Sequence, residues 1–81
     1  MSNKVRILLN SVQKVKNFVL IAEVFESDIE VISGKWIVDG SSIMGLFSLN
    51  LLEPLLVRID SDNQEEIESF YRVMEEFKWE E

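Results

Sequence analysis

The sequence predicts an α+β two-layer sandwich: a four-stranded antiparallel sheet with its helices gathered on one face, in the order β-α-β-β-α-β-α. Three observations carry that reading. Apolar residues alternate at Val5, Ile7 and Leu9 and again at Leu55, Val57 and Ile59, the period of a strand with one buried side. Val12, Val15, Phe18, Val19, Ala22 and Phe25, and later Ile67, Phe70, Tyr71, Met74 and Phe77, recur instead at helical spacing. Ser33-Gly34-Lys35-Trp36 puts glycine first in a two-residue loop between two apolar runs, which suits a type II′ hairpin turn.

Taken in order, the first strand is expected to end at Asn10, where Asn10-Ser11 offers a cap for the first helix. Leu20, Ile21 and Val24 widen the apolar face of that helix, which predicts that it is well buried against the sheet. Ser27-Asp28 ends it, and Ile29 to Ile32 and Trp36 to Val38 read as the second and third strands. Trp36, with Lys35 beside it, reads as packing or edge protection rather than a ligand platform. Asp39-Gly40 then delivers the chain to Ser41 and Ser42, in front of a short apolar segment ending near Leu49. A serine there caps a helix because its hydroxyl accepts a hydrogen bond from an unpaired backbone N–H, and either serine fits the spacing. Gly45 inside that segment costs about 1 kcal/mol relative to alanine, so its presence points to close packing or a contact.

Asn50 to Pro54 is a connecting loop, and Pro54 fixes the approach to the fourth strand. Asp62-Asn63-Gln64-Glu65 has the form of a capping box and an acidic first turn for the last helix, which reaches about Lys78. Glu75, Glu76, Glu80 and Glu81 make an acidic, solvated end at the negative pole of that helix, where fraying is expected.

The 81 residues are enough for one domain, 1–81, and too few for a second core. A hydrophobic content of 47% with 28% charged residues is the balance of a globular protein. Fifteen acidic and eight basic residues give a net charge of −7, the wrong sign for nucleic acid or an anionic membrane surface. No stretch approaches the roughly 20 apolar residues of a membrane span, and no signal-peptide core follows Met1-Ser2-Asn3-Lys4, so a cytoplasmic location is expected. Histidine and cysteine are both absent, which removes zinc sites, thiolates and imidazole bases together. The three glycines stand singly, so no phosphate-cradling loop exists, and no acidic pair lies inside an apolar stretch that would raise a pKa. A non-enzyme without cofactor or metal is the expectation.

Ser42-Ile43-Met44-Gly45-x-x-Ser48-Leu49 resembles the signature around the regulatory serine of HPr, the small phosphocarrier of the bacterial phosphoenolpyruvate-dependent sugar phosphotransferase system. The resemblance implies an HPr-like open-faced sandwich, a regulatory phosphorylation site at Ser42, and a docking patch on the helix behind it formed by Ile43, Met44 and Phe47. Met44 and Phe47 are the stronger candidates for the surface, since a short helix cannot bury every side. In the family, phosphate rides on a histidine within a Gly-x-His-x-Arg-Pro segment after the first strand. The corresponding stretch, Asn10 to Asn17, has no His, Arg or Pro; Lys14 and Lys16 stand near the vacated site, and an ammonium cannot relay phosphate as imidazole does. The chain in this respect resembles histidine-less HPr homologues that act in carbon catabolite repression through the serine alone. Implied partners are proteins: an HPr kinase, a transcriptional regulator or a phosphotransferase-system component.

Two other readings share most of this element order. An RNA-recognition domain is excluded by the charge and by the lack of a basic-aromatic strand motif. An ACT-like small-molecule-binding module, or an interaction scaffold without phosphorylation, is the alternative.

Overall fold

Register sets which side of each strand meets the helices, and it brings the Val5, Val57, Val31 and Val38 sides of the four strands together. The computed structural model describes residues 3–80. Strands β1 (Lys4–Ile7), β2 (Ile29–Ser33), β3 (Trp36–Asp39) and β4 (Leu55–Ile59) form one sheet in the order β1-β4-β2-β3, every neighbouring pair antiparallel. Val5, Val57, Val31 and Val38 stand opposite one another across the sheet, as do Ile7 with Leu55 and Ile29 with Ile59. These residues face the helices α1 (Val12–Val24), α2 (Ile43–Phe47) and α3 (Gln64–Met74). The core between the layers contains Ile7, Leu9, Val15, Phe18, Val31, Leu46, Val57, Ile59, Phe70, Met74 and Phe77.

The opposite face of the sheet carries no helix among the described residues. Two rows cross it. Arg6, Leu56, Ile32 and Ile37 form one, and Lys4, Arg58, Glu30 and Asp39 the other, with Arg58 ion-paired to Glu30. The hairpin turn is as expected: among the described residues Gly34 alone has a positive φ, 60°, and Ser33 pairs with Trp36. A type I′ turn would need a positive φ at Lys35 as well, so the type II′ form is the one present.

Four expectations need correcting. Strand β1 ends at Ile7 rather than Asn10, although Leu9 is still fully buried as the chain turns into α1. Helix α1 buries Val15, Phe18, Val19 and Ala22 but exposes Val12, Leu20 and Val24. The buried four recur at three and four residues, whereas Leu20 and Val24 project from the far side. The cap of α3 is Asn63, not Asp62: its side-chain oxygen accepts from the N–H groups of Glu65 (2.9 Å) and Glu66 (3.2 Å). Glu66 does not reach back to close a box, because it is engaged by the α1–β2 loop. Its carboxylate accepts from the backbone N–H groups of Glu26 and Ser27, each at 3.1 Å, and from the Ser27 hydroxyl.

The fourth correction concerns the acidic end. Helix α3 tightens into a 3-10 turn at Glu75–Phe77, and the chain then lies along β1 instead of fraying. Leu8 N–H donates to the Phe77 carbonyl (2.9 Å), Trp79 N–H donates to the Arg6 carbonyl (3.0 Å), and Ile7 bridges Lys78. Phe77 is buried edge-on against Phe18, their ring centroids 5.7 Å apart. That burial outweighs the poor charge placement at the helix end, which is worth only ~0.3–1 kcal/mol per group. Glu81 lies outside the described residues.

Candidate functional site at the second helix

Ser42 is the cap of α2. Its hydroxyl oxygen accepts from Gly45 N–H at 3.1 Å, and its carbonyl accepts from Leu46 N–H at 3.0 Å. Ser41 is occupied otherwise: its N–H (2.8 Å) and hydroxyl (2.7 Å) both donate to Asp39 Oδ1, which closes a turn at the end of β3. Those two bonds favour the ionised carboxylate and hold the Asp39 pKa below its ordinary value, the backbone bond contributing most. Ser42 N–H donates to the Asp39 carbonyl (3.0 Å), so the same residue sets the angle at which the helix leaves the strand.

Five residues do not make a helix that stands alone. Leu46 anchors α2 by lying fully buried in the core, and Ser48 closes the other end, its N–H donating to the Gly45 carbonyl at 3.2 Å. Gly45 sits where the neighbours are close. A Cβ there would come 3.1 Å from Ser42 Oγ and 3.3 Å from Val38 Cβ, so the glycine lets α2 sit close against β3 and its own cap. With Leu46 inward, Met44 and Phe47 point out: Met44 is 78% exposed and Phe47 43%. Ser42 and Ile43 are half-buried, Ile43 packing against the core. Leu52 on the following turn is also exposed, an apolar surface residue that the sequence concealed because it lies in a loop without periodicity.

The two lysines separate. Residues two apart on a helix differ by about 200° in direction, so Lys14 and Lys16 leave α1 on opposite flanks. Glu23, on the flank of Val12 and Lys16, lines a surface hollow with Asp39 and Ser41 of the turn that leads into α2. The flank of Lys14, Ile21 and Phe25 faces α3, where the Phe25 and Phe70 rings meet at 6.4 Å. Lys16 is exposed on the first of these flanks and Lys14 half-buried on the second, so the two do not share a surface. Among the described residues no three acidic side chains gather as a metal site, and no helix is long and apolar enough to cross a membrane.

Strand order and the serine-capped short helix define the class: an open-faced sandwich in which α2 is set between α1 and β3. Solved structures of that class place the chain more closely. It is similar to HPr-C-His from Thermoanaerobacter tengcongensis, with 25% identity, a TM-score of 0.71 and 90% of each chain covered. It is also similar to the phosphocarrier protein HPr from Bacillus anthracis str. Ames, with 23% identity, a TM-score of 0.62, and 82% of this chain and 88% of the other covered. The fold is HPr-like. No protein-family model matches the chain, and no curated protein is significantly similar to it in sequence.

Proposed function

We propose that this chain is an HPr-like protein in or alongside the phosphoenolpyruvate-dependent sugar phosphotransferase system, not competent as a histidine phosphocarrier, and that it acts as a regulatory or adaptor protein through Ser42 and α2. The observation that carries the reading is the exposed pair Met44 and Phe47 on a helix whose cap is Ser42. Flexible Met and aromatic side chains in the open are suited to docking on protein surfaces. Phosphate on Ser42 would add about −1.5 to −2 charges beside that apolar pair, next to the Asp39 carboxylate, and so change which partner surface fits. The chain has no histidine to carry phosphate. On this reading it is not an enzyme, its partners are proteins such as an HPr kinase, a transcriptional regulator or a phosphotransferase-system component, and it works in the cytoplasm.

The test is incubation with an HPr kinase and ATP, read by intact mass. One added phosphate on the wild type and none on Ser42→Ala supports the regulatory role; modification elsewhere, or none, refutes it. Phosphoenolpyruvate with the first enzyme of the system should leave no acid-labile phosphate, and finding one would refute the loss of carrier activity.

A further inference from the structure

The two edges of the sheet are treated differently. The outer edge of β1 is covered by the segment from Phe77 to Trp79 through two backbone hydrogen bonds. The outer edge of β3 has no strand beside it among the described residues. Natural sheets usually protect such an edge with charge, proline or a bulge, because bare N–H and C=O groups template further pairing. Here the edge reads Trp-Ile-Val-Asp, with Trp36 66% and Ile37 61% exposed on its two faces.

Which backbone groups are free follows from the ladder. In an antiparallel pair, alternate residues direct both N–H and C=O to the partner. Gly40 N–H donates to the Ile29 carbonyl (2.7 Å), so residues 36, 38 and 40 face β2. Ile37, one residue out of step, directs both of its groups away from it, and Asp39 directs its N–H away, while the Asp39 carbonyl is already taken by Ser42 N–H (3.0 Å).

We infer that β3 is a homodimerisation edge, pairing antiparallel with β3 of a second copy about a two-fold axis at Ile37, to give an eight-stranded sheet. The local sequence is self-complementary about that residue. Ile37 meets Ile37 of the second copy with both backbone bonds made. One position out, Trp36 meets Val38, an aromatic on a β-branched residue. Two positions out, Lys35 meets Asp39. Cross-strand pairs of these kinds are the favourable ones. Shifting the register by two residues in either direction keeps the backbone parity but loses both charge pairs. Lys35 has no ion-pair partner within its own chain among the described residues, and only one oxygen of Asp39 is taken by Ser41. On the open face the pairing continues the row Leu56–Ile32–Ile37 into its copy, covering the exposed Ile37 at the seam. A four-residue edge buries less than a standard interface, so the dimer is a concentration-dependent one.

The experiment uses the absence of native cysteine. Ile37→Cys and Val38→Cys are made singly, their folds checked by circular dichroism, and each is oxidised mildly at about 10 µM to 1 mM protein. Alongside, the wild type and Lys35→Glu are followed by sedimentation velocity. The two Ile37 positions face each other at a Cα separation of about 5.5 Å, within disulfide reach, whereas the two Val38 positions are offset along the seam. Faster cross-linking through Ile37→Cys than Val38→Cys, with a concentration-dependent dimer weakened about tenfold by Lys35→Glu, supports the inference. A wild type that stays monomeric throughout, equal or faster cross-linking through Val38→Cys, or an unchanged dimer in Lys35→Glu overturns it.

Discussion

Gly40→Ala removes the space on which the junction between β3 and α2 depends. Gly40 is buried, and a Cβ built there lies 2.9 Å from the Ile29 carbonyl oxygen, 3.0 Å from Ile29 Cγ2 and 3.2 Å from Phe18 Cε1. The nearest of these atoms is backbone in a central strand and cannot swing aside. It is also the acceptor of the Gly40 N–H bond, so relieving the clash opens that bond. Overpacking a core position costs about 1–3 kcal/mol, and a buried hydrogen bond is worth about 1 kcal/mol. Together these give a loss of about 2–4 kcal/mol, a large share of the ~4–12 kcal/mol expected for a chain of this length. Urea unfolding followed by tryptophan fluorescence, with m near 1 kcal/mol/M, should show the midpoint falling by about 2 M or more at unchanged m. Gly34→Ala is the control. Its Cβ meets nothing within 4 Å, so only the positive φ is penalised, at about 1–2 kcal/mol. A Gly40→Ala variant within about 0.5 kcal/mol of wild type, or one less affected than Gly34→Ala, would refute the packing argument.

Three further variants probe α2 and the α1–β2 loop. Leu46→Ala should cost about 2–5 kcal/mol in urea unfolding because it withdraws the buried side chain of α2, while Met44→Ala should stay within about 0.5 kcal/mol and instead weaken binding of a protein partner. Glu66 is held below its ordinary pKa, first by the Ser27 hydroxyl, then by the Ser61 side chain and the backbone N–H groups of Ser27 and Glu26. Its folded pKa is depressed, so it contributes stability above the unfolded value and loses it as pH falls through the folded one. Melting temperature followed downward from pH 6 should therefore fall less steeply in Glu66→Gln than in wild type below pH 4.5. Identical acid limbs would show that the carboxylate does not hold the α1–β2 loop.

Strand β4 was fully legible, since Leu55, Val57 and Ile59 are buried between less buried Leu56 and Arg58. The Gly34 turn was legible because only glycine takes a positive φ there without strain. Helix α1 and its inward Val15, Phe18, Val19 and Ala22 were legible too, but the width of its buried face was not, because Leu20 and Val24 carry the same apolar signal as Val19 and Ala22, and hydropathy does not say where the sheet ends. The start of α3 misled for a chemical reason: Asp62 and Asn63 are equally good caps, and the Asp-x-x-Glu spacing points to the first, whereas it is the Asn63 side chain that meets the free N–H groups of Glu65 and Glu66. The acidic end misled because local charge predicts fraying, whereas the long-range burial of Phe77 and the bond from Trp79 to β1 decide the outcome. At the candidate site, the cap and the outward Met44 followed from the brevity of the helix. The choice of Ser42 over Ser41 required the Asp39 turn, which no periodicity encodes.

Strand β1 lies between β4 on one side and the segment from Phe77 to Trp79 on the other. A ribosome releases Lys4–Ile7 before either of its neighbours, so this stretch keeps its hydrogen-bonding groups in water until Leu55 and the residues after it emerge. The β2–β3 hairpin, joined by a two-residue turn, is ready much earlier. Pairing of β1 is thus the long-range closure of this sheet, and a nascent chain stalled before Leu55 holds Lys4–Ile7 without the strand it pairs with.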